Sequence, residues 1–264
     1  MFHMKQNTNQ NTFSTASSGL FHVKQDAFFT PETKEKLKIY EEILKKWQKS
    51  INLVSKKTIN EIWTRHFLDS AQVYPLIPAT AKTIVDMGSG AGFPGLVLAI
   101  MDNDPQNRSL RQPAETHMQT LSDEQGSPPS FSDTVSAGQG MPFTVYLIES
   151  DTRKGLFMKE VIRQLGLTNA VVHTCRIEKM PPLSADVITA RALADTSQLL
   201  AWADPFMTPD THCLFLKGAG VADEIKGLEA IYSITCFPSL TAPDSSILHL
   251  QNKGVSNGIT STPS

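Results

Sequence analysis

Apolar positions follow two rhythms along this chain of 264 residues. Between 31 and 60, Leu37, Tyr40, Ile43, Leu44, Trp47 and Ile51 recur at steps of three and four, which lines up one face of an α-helix. Thr58-Ile59-Asn60-Glu61 has the pattern of a capping box. It predicts a second helix with Ile59, Ile62, Trp63 and Phe67 inward, stopping before Pro75 and Pro78. Downstream the rhythm changes to short β-branched or apolar blocks at 83–85, 143–148, 170–173, 186–190, 213–216, 231–236 and 246–250. Each block reads as a strand. The block at 96–100 and the segment 153–165, stopped by Gly166, read as helices between them. Strands alternating with helices predict an α/β fold. We expect a Rossmann-like, mainly parallel seven-stranded sheet with helices on both faces and an N-terminal helical extension.

That pattern divides the chain. Residues 1–27 are rich in Asn, Gln, Ser and Thr, lack an apolar signal core, and read as a disordered tail. Residues 28–78 form the helical extension, 79–253 the α/β domain, and 254–264 a second disordered tail. Within the domain, 103–142 is poor in large apolar residues and rich in Pro, Gln, Ser and Gly. It reads as a flexible insertion with no core of its own.

Composition changes the picture in three places. The insertion carries five acids and two bases, so the formal charge of −2 becomes about neutral without it. Residues 31–60 hold eight lysines against four glutamates. That face is either solvated or a phosphate-contacting patch, with Lys45, Lys46, Lys49, Lys56, Lys57 and, at a strand end, Lys217 as the candidate phosphate contacts. Cys175, Cys213 and Cys236 are widely spaced and form no metal pattern, so they read as reduced core residues of a cytoplasmic protein, and no metal is expected.

The candidate chemistry lies at strand ends. Asp86-Met87-Gly88-Ser89-Gly90-Ala91-Gly92-Phe93-Pro94-Gly95 joins the first strand to the next helix. Such a turn accommodates a nucleotide-like ligand. Asp86 would repel a pyrophosphate but suits an ammonium or sulfonium, which favours S-adenosylmethionine over a dinucleotide. Glu149 ends the second strand 57 residues after Gly92, or 17 once 103–142 is set aside. That is near the spacing of a ribose-binding acid. Gly90-Ala91-Gly92-Phe93-Pro94-Gly95 also satisfies G-x-G-x-x-G, which keeps a nicotinamide-dependent oxidoreductase open. A non-catalytic binding protein with the same fold is the other alternative.

The chain resembles the bacterial 16S rRNA guanine-N7 methyltransferases of the RsmG (GidB) type. The matching segments are 47–55, Arg65-His66-Phe67-Leu68-Asp69-Ser70, 85–95, Leu147-Ile148-Glu149-Ser150, Arg176-Ile177-Glu178, Thr189-Ala190-Arg191-Ala192-Leu193 and Leu216-Lys217-Gly218. They span about 30–250 apart from the insertion. Arg153-Lys154 followed by Gly155 departs from the family's tendency to a larger residue there. The resemblance implies a cofactor site at Gly88, Phe93, Ile177, Glu178 and Arg191, to which the residue reading adds Asp86, Gly90, Gly92 and Glu149. The glycine amides would face the methionine end, Glu149 the ribose, and the 177–178 segment the adenine. Arg191 is open to three readings: the methionine carboxylate, the target guanine, or an ion pair with Asp86 or Glu178. His66 and Asp69 share a helix face and join Arg191 as candidates for the reacting side. The implied acceptor is 16S rRNA or the small-subunit particle, which makes the non-catalytic alternative a ribosome-associated protein with a methyltransferase fold; we expect the protein to be a monomer.

Overall fold

The computed structural model describes residues 28–111 and 140–253. The expected tails, 1–27 and 254–264, and residues 112–139 of the expected insertion lie outside the described residues. One seven-stranded sheet organises the chain. Its strands are β1 (Thr83–Met87), β2 (Thr144–Glu149), β3 (Ala170–Thr174), β4 (Val187–Arg191), β5 (His212–Lys217), β6 (Tyr232–Pro238) and β7 (Ser246–Asn252). Their order is β3-β2-β1-β4-β5-β7-β6. β1 to β5 pair in parallel, and β7 runs antiparallel between β5 and β6. The strand order reverses between β1 and β4, so a crevice opens at their carboxyl ends. The expected fold class is observed.

Two apolar clusters cover the sheet's faces. One holds α1 (Pro31–Trp47) and α2 (Gly95–Asn103) and the buried face of α3 (Thr152–Leu165). The other packs α4 (Thr196–Ala203) against β1, β4 and β5. α1 starts cleanly because Thr30 accepts from the Thr33 amide and Pro31 sits in the first turn. Leu37, Tyr40 and Leu44 are fully buried beneath it. The helical extension is therefore part of the domain's core.

Two sequence expectations need correction. The segment after Thr58 is no capped α-helix. It is a 3₁₀ turn, Ile59–Glu61, followed by a π-helix, Trp63–Leu68, and one α-turn, Asp69–Ala71. Thr58 does not cap because its hydroxyl is engaged by Ser55 and by His66. Ile62 and Phe67 are buried as expected, whereas Ile59 and Trp63 are half-buried. The folded body also extends past 103, into the expected insertion. Asp104 caps the 3₁₀ turn Pro105–Leu110 and accepts from the Thr30 hydroxyl. Asn107 donates to Thr33 Oγ1 (2.9 Å) and to the Met101 carbonyl (3.0 Å). Arg111 is fully buried over the Phe143 ring (4.9 Å), with Asp102 3.6 Å away. These residues are polar in composition but are held by specific polar contacts, which compositional reading does not register.

Candidate active site

The turn after β1 is rigidly tied down. The Gly92 and Phe93 amides donate to the Ser89 carbonyl (2.7 and 3.0 Å), and the Ser89 amide donates to Ile148 of β2 (3.0 Å). Gly88 and Gly92 have φ of +65° and +88°, the region where a Cβ is strained. A Cβ on Gly88 would stand 2.6 Å from a Leu193 methyl, and one on Gly92 2.7 Å from the Tyr40 hydroxyl. The Tyr40 hydroxyl donates to the Ala91 carbonyl, and its ring lies over Phe93 (5.6 Å, 23°). Helix α1 thus pins the crown of the turn.

Asp86 is not a pocket residue, contrary to the sequence expectation. It is fully buried below the turn, accepting from Thr189 Oγ1 (2.8 Å) and from the Gly95 amide (3.3 Å). Burial pushes its carboxyl up to about 6 against those hydrogen bonds. Its work is to join β1, β4 and the start of α2. Gly92 likewise faces Tyr40 and Leu96 and does not line the cavity.

A cavity of about 580 Å³ opens over the strand ends, lined among others by Gly88, Gly90, Phe93, Glu149, Ile177, Glu178 and Arg191. These expected residues do come together. Glu149 is 7% exposed. It accepts from the Gly90 amide (2.8 Å) and the Asp151 amide (2.7 Å). A carboxylate has about four acceptor positions, so it keeps two for hydroxyl donors. Ile177 and Glu178 sit on a 3₁₀ turn, Ile177–Lys179, after β3. The sequence reading missed Lys154, Cys175 and Trp202, and also the Leu53–Ser55 segment with Thr58, all of which line the cavity. Thr58 has a helix-cap pattern in the sequence but lines the cavity instead.

A second cavity, about 240 Å³, adjoins the first. Thr58, His66, Arg191 and Ala192 line both. Arg191 pairs with neither Asp86 nor Glu178; its Nη1 lies 2.9 Å from Asp69 Oδ2 and donates to the Arg65 carbonyl (3.2 Å). The guanidinium stands over the Phe93 ring (5.1 Å), on which His66 also stacks (4.9 Å, 20°). His66 Nδ1 is 2.5 Å from Arg191 Nη2, and Nε2 is 2.9 Å from the Thr58 hydroxyl. Burial first, then Arg191 and Arg65, lowers the His66 pKa to about 3. The imidazole is neutral at physiological pH. Its partners assign Nδ1 as acceptor from Arg191 and Nε2–H as donor to Thr58. Ala192 has φ of +51°, a left-handed value rare outside glycine. The bend there lies between Arg191, directed to Asp69, and Leu193, directed to Gly88.

The six lysines separate into groups. Lys56 and Lys57 are exposed between Ser55 and Thr58, at the lip of the larger cavity. Arg65, exposed on the smaller cavity, adds a cation the sequence reading missed. Lys46 and Lys49 are exposed at the end of α1, and Lys45 there is ion-paired with Glu41 (2.7 Å). Lys217 is no free RNA contact. Its ammonium is 2.6 Å from Glu224, donates to the Ala194 carbonyl, and its side chain is 8% exposed. Among the described residues no group of three or more His, Cys, Asp or Glu side chains is placed to hold a metal ion.

Comparison with known proteins identifies the fold's lineage. A family model described as GidB, rRNA small subunit methyltransferase G, matches residues 33–111 and 139–247. The match resumes after 112–138, so Asp104, Asn107 and Arg111 belong to the shared body and not to an insertion. The ribosomal RNA small subunit methyltransferase G of Paramagnetospirillum magneticum is 42% identical over 222 residues, 83% of this chain and 89% of that protein. That of Parvibaculum lavamentivorans is 40% identical, covering 83% of each. Among solved structures, M. jannaschii TYW2 in complex with AdoMet aligns with a TM-score of 0.46 and 14% identity, over 77% of this chain and 78% of that one. With a matching family model over most of its length and relatives at about 40% identity, the chain belongs to the rRNA small subunit methyltransferase G family.

Proposed function

We propose that this protein methylates N7 of a guanine in small-subunit ribosomal RNA, in the cytoplasm, with S-adenosylmethionine as methyl donor. The observation that carries the reading is the shared wall of the two cavities. A ligand over the glycine turn and a base in the smaller cavity meet at Thr58, His66, Arg191 and Ala192. The family's rRNA methyltransferases make a nicotinamide oxidoreductase and a purely binding role the weaker readings.

The larger cavity fits S-adenosylmethionine. Glu149 offers free acceptor positions to a ribose diol, and the 177–178 turn faces the adenine. Gly88 and Gly90 bring backbone close to the methionine end without a side chain in the way. When bound, the donor supplies an electrophilic methyl whose S–C bond breaks, leaving the electron pair on sulfur, as the guanine N7 lone pair forms the new N–C bond. N7 has no proton to lose, so the protein needs no general base. The neutral, hydrogen-bonded His66 accordingly serves as a positioning residue for Arg191. The chain's contribution is alignment and exclusion of water. Lys56, Lys57 and Arg65 meet RNA phosphates at the cavity rims, with Lys46 and Lys49 further out.

The test has two parts. Calorimetry should show binding of S-adenosylmethionine and none of NAD. Small-subunit rRNA from cells lacking the protein should lose one N7-methylguanosine and regain it on incubation with protein and donor. An rRNA with unchanged N7 methylation in both states overturns the proposal.

A further inference from the structure

The smaller cavity has a chemical pattern that the methyl-transfer reading leaves unused. Arg191 and Asp69, 2.9 Å apart and each 17% exposed, place a donor beside an acceptor on its wall. Asp69 Oδ1 already accepts from Gln72 Nε2 (2.9 Å) and Thr241 Oγ1 (2.7 Å). Oδ2 accepts only from Arg191 among the described residues, so it keeps one open position. On the same cavity the Ser246 hydroxyl is buried with no hydrogen-bond partner among the described residues. A buried polar group without a partner is costly, and a ligand there would supply one. The volume suits a single flat base.

We infer that the Arg191–Asp69 pair is the guanine-reading element, with Arg191 donating to O6 and Asp69 accepting from N1–H; this rests on the methyltransferase reading above. The order of atoms around the base supports the assignment. N7 must point at the shared wall with its lone pair free, so a donor placed on N7 would block the reaction. O6 is the next acceptor around the ring, and Arg191 lines both cavities. N1–H follows O6, and Asp69 lines the smaller cavity alone. Adenine reverses both groups, presenting an N6–H₂ donor to Arg191 and an N1 lone pair to Asp69. The pair therefore selects against adenine by two mismatches as well as for guanine by two bonds. It also acts during the reaction. Positive charge passes to the purine as the N–C bond forms, which makes N1–H a stronger donor. The Asp69 carboxylate is then bound more tightly in the transition state than in the ground state.

The test uses the full chain saturated with S-adenosylhomocysteine, titrated with GMP, 1-methyl-GMP and AMP. GMP should bind at least about tenfold tighter than either of the others, the scale of one good base-edge contact pair. Asp69→Leu, which removes the acceptor, should erase the preference, leave S-adenosylhomocysteine affinity within about twofold, and lower kcat on rRNA more than it raises KM. Equal affinity for the three nucleotides in the unmodified protein, or no measurable GMP binding, overturns the inference without any variant having to fold. So does a preference that survives Asp69→Leu. Failure of the unmodified protein to bind S-adenosylhomocysteine is a separate result. It overturns the methyltransferase reading itself, and this inference with it.

Discussion

The two cavities meet at four residues but are built in opposite ways. The larger one is made from successive strand ends: the turn after β1, Glu149 at the end of β2, the 177–178 turn after β3, and Arg191 at the end of β4. The smaller one gathers Arg65 and His66 from the π-helix, Asp69 from the α-turn and Gln72 just after it. To these it adds Arg191, Gly218 after β5, and Ser239, Ser245 and Ser246 around the β6–β7 hairpin. One site is largely backbone on a rigid scaffold; the other is held by side chains that pair with one another. The first should fail through steric change, the second through loss of charge or hydrogen-bonding groups.

The largest effect is expected at the backbone-built site. Gly88→Val forces a Cβ against Leu193 at a positive φ. It should abolish measurable S-adenosylmethionine binding while the protein stays folded by circular dichroism. Retained binding would show that the turn is less rigid than its hydrogen bonds indicate. At the side-chain-built site, Arg191→Ala should lower turnover by about 100-fold, the scale of losing a charged transition-state contact. Urea denaturation of the same variant separates this from unfolding: a midpoint collapsed with the activity would make Arg191 structural.

Smaller effects probe the couplings between regions. Tyr40→Phe removes the hydrogen bond from α1 to Ala91 but keeps the ring on Phe93. One hydrogen bond is worth about 1 kcal/mol, so donor affinity should fall about fivefold by calorimetry, with kcat at saturation unchanged. A fall in kcat alone would break the assignment of Tyr40 to the donor side. Lys56→Glu with Lys57→Glu should weaken rRNA binding and flatten its dependence on salt, leaving donor affinity untouched. An unchanged salt slope would remove the two lysines from the RNA face.

The smallest expected effect is a pH dependence of stability. Asp86 titrates at about 6 in the fold, above its ordinary value of 3.8. The folded protein binds the extra proton between those values, so this group's contribution is full below 3.8 and lost as pH rises through 6. Asp86→Asn can still accept from Gly95 and donate to Thr189. The melting temperature of the variant relative to the unmodified protein should therefore rise from pH 4 to pH 7. His66 acts in the opposite sense. Its folded pKa of about 3 lies below the ordinary 6.5, so stability falls as pH drops below 6.5. A difference between the two proteins that does not move with pH would mean that Asp86 is not buried as a titrating acid.

Local pattern determined a great deal of this protein. Short apolar blocks and period-3.6 runs of apolar residues carry the strands, the helices and hence the parallel sheet, because both patterns depend only on near neighbours. The glycine turn and Glu149 were legible for the same reason: a parallel sheet brings successive strand ends to one edge. Setting aside 112–138 alone leaves Glu149 30 residues after Gly92 rather than 17, since 103–111 is folded body. Tertiary structure alone decided which polar groups are buried and with what partners. Thr189 and Gly95 turn Asp86 inward, Glu224 takes Lys217 out of reach of a phosphate, and Asp69 claims Arg191 across 122 residues of sequence. Ion pairs and hydrogen bonds between remote segments leave no periodic trace in the chain. The cavity built by them, and the base it would read, became visible only when the segments were brought together.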